Sequence, residues 1–348
     1  MAMTIVEADR AVIGGVDTHL DVHVAAALDP VGGVLGVESF AASRSGYAAL
    51  LEWLSSFGTI AKVGVEGTGA YGAGLYRFLV DAGIEVVEVD RPNRQVRRRL
   101  GKSDPADAVE AARGVLSGRS TGRPKSRDGK VEAIRVLLVA KRSARQGRLR
   151  AIHQMRQLSY TAPEELRARF KGLSTTDLVV EAAALRPRAG GDTVIHATKV
   201  ALASLGRRCL ELGEEIDHID SLLAGLVEEA APELLGVYGV GVDTAATLLV
   251  TAGDNPERLH SEAAFARLCG VAPIEASSGK VTRYRLNRGG DREANAALWR
   301  IVMTRLSFDP RTRDYMERRT KEGRSKREVI RILKRYVARE VFRHLPRP

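Results

Sequence analysis

Residues 11–28, AVIGGVDTHLDVHVAAAL, hold the pattern that decides the fold of the N-terminal part of the chain. Two runs of small and β-branched apolar residues, AVIGGVD and VHVAAAL, are separated by turn-forming residues at 18–21. Such runs predict buried β-strands. A third run, VLGVESFA at 34–41, follows a proline- and glycine-containing turn at 30–33. This part of the chain is therefore predicted to form three consecutive strands.

Helices and strands alternate after these three strands. Residues 43–57 predict a helix capped by Ser43 or Ser45. AKVGVEG at 61–67 predicts a fourth strand, YGAGLYRFLVDAG at 71–83 a second helix, and EVVEVD at 85–90 a fifth strand. The order β-β-β-α-β-α-β predicts an α/β domain with a mixed sheet covered by helices. The RNase H-like fold has this order.

The composition indicates a globular protein with a polyanionic partner. The chain has 348 residues, 44% of them hydrophobic, which suffices for the cores of two or three domains. The formal net charge of +11 is concentrated in two blocks: residues 91–150 hold 18 basic and 5 acidic side chains, and residues 311–348 hold 14 and 5. Such segregation favours binding to nucleic-acid phosphates over the alternative, a uniformly solvated arginine-rich surface.

Several other classes of protein are excluded by the sequence. There is no apolar run of membrane-spanning length, and residues 1–10 lack the pattern of a signal peptide. We therefore expect a protein of the cytoplasm, associated with the nucleoid. Cys209 and Cys269 lack metal-ligand spacing, which argues against a zinc site and against a disulfide framework.

A loop at residues 118–129, rich in glycine, serine, arginine and proline, predicts the end of the first domain. The segment 131–226 is predicted to be helical throughout. Within it, apolar residues recur with the alternating three- and four-residue spacing of a coiled-coil seam. The seam consists of Leu202, Leu205, Cys209, Leu212, Ile216, Ile219, Leu223 and Leu226. It could pack against the chain's own 131–160 helix or against a second subunit. We expect domains at 1–125, 126–230 and 231–348.

Four acidic residues occupy positions where strand ends and a helix face would bring them together. Asp17 ends the first predicted strand and Glu66 ends the fourth. Asp104 and Asp107, in GKSDPADA at 101–108, are three residues apart and share one face of a helix. Taken alone, each could form a turn or a helix cap. Together, four converging carboxylates need cations, and oxygen ligands select Mg²⁺, with Mn²⁺ possible. Two such ions can clamp a reacting phosphodiester.

Two further motifs lie in the C-terminal third. LLGVYGVGVDTAATLLV at 234–250 resembles a helix-hairpin-helix, in which a Gly-x-Gly turn formed by Gly239 and Gly241 exposes backbone N–H groups to a DNA phosphate. Ser277 and Ser278 stand on a predicted exposed turn near four cations, so either hydroxyl could attack phosphorus. These cations are Lys280, Arg283, Arg285 and Arg288. By itself, a Ser-Ser-Gly segment is most often an ordinary loop.

These motifs, in this order, resemble one family along nearly the whole chain: the DEDD-type transposases of the IS110 ("IS one-ten") group of insertion sequences. The matching segments are GVDTHLD, VEGTGAYG, KSDPADA, the Gly-Val-Gly hairpin, APIEASSGK and NRGGDREAN. Counted from Pro273, the nucleophilic serine of the family falls on Ser277, which is the preferred nucleophile. The turn after the serines is one glycine shorter than the usual family form, so Ser278 is the alternative.

The resemblance implies an N-terminal RuvC-like domain with a catalytic, metal-binding tetrad, a helical coiled-coil middle, and a mainly α-helical C-terminal transposase domain with a helix-hairpin-helix. The tetrad falls on Asp17, Glu66, Asp104 and Asp107. It also implies a serine–DNA intermediate, donor and target DNA as substrates, a structured noncoding guide RNA, and a homo-oligomer, a dimer or a tetramer. We expect nucleic acid to bind Arg97, Arg98, Arg99, Lys102, Gly239, Gly241, Lys280, Arg283, Arg285 and Arg288.

Three other functions are compatible with parts of the sequence. In a RuvC-type nuclease or junction resolvase, the tetrad would activate water and Ser277 would be structural. A sugar-kinase or actin-like ATPase would explain GGVDTH, but its second, glycine-rich nucleotide site is absent from the sequence. A non-catalytic nucleic-acid scaffold would need only the two basic blocks.

Overall fold

The computed structural model describes residues 10–89, 103–187, 192–255, 258–279 and 284–346. The chain divides into two compact units, Met1–Ser126 and Arg127–Pro348, each with hydrophobic cores of its own. The predicted basic residues Arg97, Arg98, Arg99, Lys102, Lys280 and Arg283 lie outside the described residues.

The first unit contains a five-stranded mixed sheet. Its elements are β1 (Ala11–Thr18), β2 (Val22–Leu28), β3 (Val34–Ala41), α1 (Arg44–Ser55), β4 (Thr59–Glu66), α2 (Ala73–Asp81), β5 (Val86–Val89) and α3 (Asp104–Leu116). The strand order is β3-β2-β1-β4-β5. β2 runs antiparallel to β1 and β3, whereas β1, β4 and β5 are parallel. This arrangement is consistent with an RNase H-like domain and confirms the predicted mixed sheet.

Helices cover both faces of this sheet. Because alternate residues of a strand point to opposite faces, each strand contributes side chains to both helix layers. Val12 and Val16 of β1 belong to the cluster that packs against α1 and α2, whereas Ile13 packs with α3. Asp17 lies two residues beyond Gly15 and four beyond Ile13, so it shares the face that α3 covers. The alternation along β1 therefore directs an acidic side chain toward this helix.

Gly15 has no side chain, so the backbone of α3 can pack directly against the backbone of β1. A Cβ atom added to Gly15 would lie 2.3 Å from the Ala108 carbonyl oxygen and 2.3 Å from the Ala112 nitrogen. Real Cβ atoms do not approach other atoms so closely, so any larger residue would push the helix outward. Since α3 also carries Asp104 and Asp107, this glycine determines how near those acids come to β1.

We expect Gly15→Ala to destabilise the first unit by about 1–3 kcal/mol, as overpacking of a close-packed interior does. Hydrogen exchange should become faster across β1 and α3. Gly225→Ala is the matched control, since a Cβ atom at Gly225 meets nothing within 4 Å. Unchanged exchange in residues 104–116 of the Gly15 variant would show that the close approach is not needed.

The buried histidine of β2 makes the first unit sensitive to acid. His23 is fully buried and stacks on Tyr47 of α1 with ring centroids 5.6 Å apart. Burial, aided by the nearby His19, lowers the pKa of His23 below its ordinary value of 6.5. The unfolded chain therefore binds a proton at His23 more readily than the folded chain does. The stability contributed by neutral His23 is complete above the ordinary pKa and is lost as pH falls below it.

We predict that the free energy of unfolding of the first unit falls as the pH is lowered below about 6.5, and that His23→Phe flattens this dependence. Chemical denaturation at several pH values measures the effect. His218→Gln, which changes an exposed histidine, should leave the slope as it is in the wild type. A His23→Phe variant with the wild-type slope would assign the acid sensitivity to other groups.

The second unit is mainly helical. Its elements are α4 (Lys130–Thr161), α5 (Glu164–Phe170), α6 (Thr175–Ala183), α7 (Thr193–Ala230), α8 (Pro232–Leu235), α9 (Val242–Ala252), α10 (Glu262–Leu268), β6 (Ile274–Glu275), β7 (Tyr284–Arg285), α11 (Arg292–Phe308), α12 (Pro310–Lys321) and α13 (Lys326–His344). The prediction of uninterrupted helix over 131–226 is wrong in detail. Breaks follow Thr161, where Pro163 stands at the next helix start, and Phe170, where Gly172 has a φ of +75°.

The two long helices α4 and α7 pack antiparallel within one chain. Near one end, Ile134 and Leu138 of α4 share a cluster with Leu223 of α7; near the other, Met155 shares a cluster with Leu202. The predicted apolar seam thus lies against the chain's own α4, which was one of the two open alternatives. The coiled coil as a device for subunit assembly stays a prediction.

A buried lysine connects three helices of the second unit. The Lys141 side chain is 5% exposed, and its ammonium group forms salt bridges with Asp220 of α7 and Asp243 of α9. The same core cluster extends from α4 and α7 into the C-terminal helices through Phe265, Leu298 and other residues. Separating Lys141 from both carboxylates would leave a buried charge unpaired, so the network is compatible only with packings that keep the three helices together.

Cys209 and Cys269 are free thiols, and both are buried. Burial, with a contribution from the negative charge of Asp291, raises the pKa of the Cys269 thiol. None of the helices in the described ranges is both long and apolar enough to cross a membrane.

Candidate active site

The ends of β1 and β4 meet at one edge of the sheet in the first unit. Asp17 is 7% exposed and lies beside β2, opposite Val24. The hydroxyl of Thr18 donates a hydrogen bond of 2.7 Å to the carbonyl oxygen of Glu66. This bond joins the last residues of two neighbouring parallel strands and holds Asp17 and Glu66 at the same edge.

An imidazole stands between two of the predicted carboxylates. His19 Nδ1 lies 3.9 Å from Asp17 Oδ2, and His19 Nε2 lies 3.8 Å from Asp104 Oδ1. One potential ligand atom from each of the three residues falls within 4.8 Å of the others. A shallow cavity of about 380 Å³ opens beside His19 and Asp104, with Tyr71 exposed at its rim.

Asp104 reaches this group because α3 begins with it. The helix is capped by Ser103, whose hydroxyl accepts a hydrogen bond from the Ala106 N–H. The cap is therefore Ser103, and the alternative role of Asp104 as the helix cap does not apply. An acidic side chain in the first turn is also favoured by the helix dipole.

The other two predicted ligands lie outside the three-residue group. Glu66 is half-buried at the end of β4, next to Gly67, whose φ is +73°. Asp107 is 4% exposed and lies one turn into α3, adjacent to Ala108. Both stand on elements that adjoin β1. Their membership of a four-carboxylate site stays a prediction.

The donor set suits a divalent cation. Carboxylate oxygens favour Mg²⁺ and Mn²⁺, and an imidazole nitrogen adds a ligand suited to a transition metal. His19 is not among the site residues that the sequence predicts. Its spacing from Asp17 was the available signal, since residues two apart at the end of a strand lie on the same face.

The predicted nucleophiles lie on a short hairpin of the second unit. β6 pairs antiparallel with β7, so that Ile274 stands opposite Arg285 and Glu275 opposite Tyr284. Ser277 and Ser278 are both exposed on the segment that follows β6. Arg285 and Arg288 are exposed as well. The choice between the two serines stays a prediction.

The glycine turn at 236–241 is a compact helix start. Gly239 has a φ of +81°, and Gly241 is the N-cap of α9, where its N–H donates 3.0 Å to Thr244 Oγ1. The carboxylate of Asp243 lies in the first turn and is held by Lys141 and Arg145. An anion already at this helix start would weaken phosphate binding there. The helix-hairpin-helix assignment stays a prediction.

Residues 287–295, NRGGDREAN, hold the segment that follows the hairpin in place by hydrogen bonds and close packing. Asn287 donates to the Arg267 carbonyl at 3.0 Å, and Asp291 caps α11 by accepting from the N–H groups of Glu293 and Ala294. Gly290 packs on Gly270 so closely that a Cβ atom would lie 2.3 Å from the Gly270 backbone. The motif therefore has a structural function in this chain.

Two family models match the chain. One, described as a transposase model, matches residues 14–159, and the other, described as the transposase IS116/IS110/IS902 family, matches residues 231–317. These matches define the class of the chain by family, that of the transposases. The chain belongs to the IS110 family of insertion-sequence transposases. The sequence-based resemblance to this family is confirmed.

Two curated relatives are similar over part of their length. A 43.6 kDa protein of insertion element IS110 from Streptomyces coelicolor is 30% identical over 134 residues, which are 38% of this chain and 33% of the relative. A 42 kDa protein of insertion element IS900 from Mycobacterium paratuberculosis is 24% identical over 162 residues, 45% of this chain and 41% of the relative. The chain thus matches less than half the length of either relative.

We predict that the purified protein binds Mn²⁺ and that His19→Ala and Asp104→Asn each weaken this binding by roughly tenfold or more, because each removes a potential ligand. Electron paramagnetic resonance of free Mn²⁺ measures the affinity directly. Glu38→Gln is the control, since Glu38 is an exposed acid on β3. Wild-type affinity in both site variants would contradict a metal centre at this edge.

Proposed function

We propose that the chain is the transposase or recombinase of a mobile insertion sequence, which cuts and rejoins DNA through a covalent serine–DNA intermediate. The observation that carries this proposal is the convergence of Asp17, His19 and Asp104 at the edge of an RNase H-like sheet in a chain of this family. The geometry supports a metal-assisted reaction at phosphorus.

A divalent cation, Mg²⁺ or Mn²⁺, would be held by Asp17, Asp104 and His19, with Glu66 and Asp107 completing the predicted tetrad. When bound, the ion stabilises negative charge on a phosphodiester undergoing substitution. The chain's own part is to position the ligands: the Thr18 to Glu66 hydrogen bond aligns the strand ends, and the close approach at Gly15 brings α3 to them.

Ser277 is the proposed nucleophile, with Ser278 as the alternative. Its oxygen would form a bond to phosphorus while one phosphorus–oxygen bond of the DNA backbone breaks. The departing deoxyribose oxygen takes up the proton that the serine hydroxyl loses. Arg285 and Arg288 are suited to stabilise the developing charge. Because the phosphoserine ester retains the energy of the broken bond, reversal of the step with another strand end rejoins DNA without ATP.

The remaining parts of the proposal concern partners. A structured noncoding RNA would guide the protein to donor and target DNA, and the basic blocks at 91–150 and 311–348 supply charge for both nucleic acids. Strand exchange between two duplexes calls for more than one subunit. The α7 seam packs on α4 within one chain, and the exposed side chains of Leu210 and Leu222 on the same helix offer further surface for a second subunit.

The experiment that tests this function is a search for the covalent intermediate. Wild-type, Ser277→Ala and Ser278→Ala proteins are incubated with guide RNA, Mg²⁺ and end-labelled donor and target DNA, then separated on a denaturing gel. We expect label on the wild-type protein and on Ser278→Ala, and none on Ser277→Ala. The two serines are neighbours of the same type, so each variant controls for the other.

The other outcomes are equally informative. Loss of the adduct only in Ser278→Ala would identify Ser278 as the nucleophile. Cleavage without any adduct would establish the metal-dependent nuclease and contradict recombination through serine.

Asp104→Asn should abolish cleavage while leaving the binding of DNA and RNA unchanged, because it removes a metal ligand without altering the basic surfaces.

A further inference from the structure

A larger cavity lies in the second unit, between residues 270–273 and 284–295 on one side and helix α13 on the other. Its volume is about 820 Å³. Six basic side chains that line it form no ion pair with a carboxylate of the described residues. We call this cavity the basic cleft, and these side chains are Arg285, Arg288, Arg292, Arg324, Arg331 and Lys334.

The acidic residues nearby offset only part of this charge. The largest interactions of Glu328 are its hydrogen bonds with Ser325, and Arg324 and Arg331 add smaller electrostatic attractions. Glu328 also lines the basic cleft, but its Oε2 accepts hydrogen bonds from the N–H and the hydroxyl of Ser325, at 2.9 and 2.7 Å, and so caps α13. Glu262 binds Arg335 and Arg339. Positive charge in the basic cleft therefore greatly exceeds negative charge, and the complement is an anionic ligand.

Lys334 is the most constrained of these cations. Its ammonium group donates a hydrogen bond of 2.7 Å to Asn295 Oδ1, and the Asn295 amide in turn donates to the carbonyls of Cys269 and Gly270. Burial, together with the positive charge of Arg331, lowers the pKa of Lys334. An ammonium group has three donors, so Lys334 can bind an anion in addition to Asn295. A phosphate there would reverse the depression of its pKa.

The walls of the basic cleft are also suited to a flat, apolar group. Tyr284, Leu286 and Tyr336 line it and are 60%, 48% and 47% exposed. Exposed aromatic rings among cations are typical of surfaces that stack unpaired bases. The cavity volume lies within the roughly 300–1,000 Å³ of ordinary ligand sites. A nucleotide can enter such a cavity, whereas a double helix could only lie across its mouth.

We propose that the basic cleft binds single-stranded nucleic acid, with backbone phosphates on Arg331 and Lys334 and an unpaired base stacked on Tyr284. The proposal rests on the proposed function only in taking nucleic acid as the partner. Helix α13 lies beyond residues 231–317, which the C-terminal family model matches. The hairpin that forms one wall also carries Ser277, so a strand held here would lie on the element that bears the proposed nucleophile.

Fluorescence anisotropy with the full chain tests the proposal. The probes are labelled oligothymidylate, an oligouridylate of the same length, and a DNA duplex. For Arg331→Gln/Lys334→Gln we expect the Kd for a single strand to rise about tenfold or more. The slope of log K against log salt should fall by about 1.4, since each phosphate contact of a single strand contributes roughly 0.7. Binding of the duplex should change far less.

The matched control is Arg300→Gln/Arg343→Gln, which removes the same charge from exposed positions outside the basic cleft. Tyr284→Ala should weaken single-strand binding, and Tyr284→Phe should restore it, because stacking needs only the ring. Thermal unfolding verifies that each variant is folded. If the double variant is not folded, the comparison of Tyr284→Ala with Tyr284→Phe, at an exposed position, tests the proposal instead. The relative losses of the oligothymidylate and the oligouridylate tell whether the strand is DNA or RNA.

Equal weakening by the test and control pairs, or equal weakening of duplex and single-strand binding, would overturn the proposal. So would an unchanged affinity in Tyr284→Ala. These results are independent of the covalent intermediate: a protein that forms no serine adduct can still bind a single strand here, and one that forms the adduct can still fail the anisotropy test.

Discussion

The contact between Gly15 and the backbone of α3 is the constraint on which the candidate active site depends. With no side chain at this position, the helix carbonyl and N–H groups of Ala108 and Ala112 reach the strand itself. Helix α3 therefore begins beside the end of β1, where Asp104 faces His19. A longer side chain at Gly15 would move an entire helix, and two of the predicted metal ligands move with it.

In the second unit, the packing of the helices is constrained by the buried charge of Lys141, whereas in the first unit it is constrained by Gly15. Lys141 is buried among apolar helices, and its carboxylate partners come from α7 and α9. A buried lysine is costly unless paired, so helix packings that separate it from Asp220 and Asp243 are disfavoured. The apolar seam of α7 would allow several partners, because hydrophobic contacts have no direction. The salt bridges are directional and connect α4 with α7 and α9 of the same chain.

The two candidate ligand sites have opposite charge and different construction. At the sheet edge, acids and an imidazole converge on a point and can hold a cation. In the basic cleft, cations surround a volume large enough for a nucleotide, and neutral asparagines hold the frame: Asn295 supports Lys334, and Asn287 anchors the loop before α11. Neutral amides leave the positive charge of the basic cleft in place, where acidic partners would have cancelled it.

The succession of strands and helices in the first unit, and the positions of Asp17 and Glu66 at strand ends, follow from local periodicity, and the sequence by itself determined them. The order of the strands within the sheet and the cap at Ser103 came from the structure. The sequence also determined the family, through motifs such as KSDPADA. The place of His19 between two acids, the packing of the α7 seam on α4, and the meeting of α13 with the β6–β7 hairpin were decided only by the tertiary structure. The breaks after Thr161 and Phe170 were missed because helical propensity outweighed a single proline or glycine in a long apolar pattern. Local patterns depend on neighbours in sequence, whereas these contacts join residues far apart in the chain, and only packing brings them together.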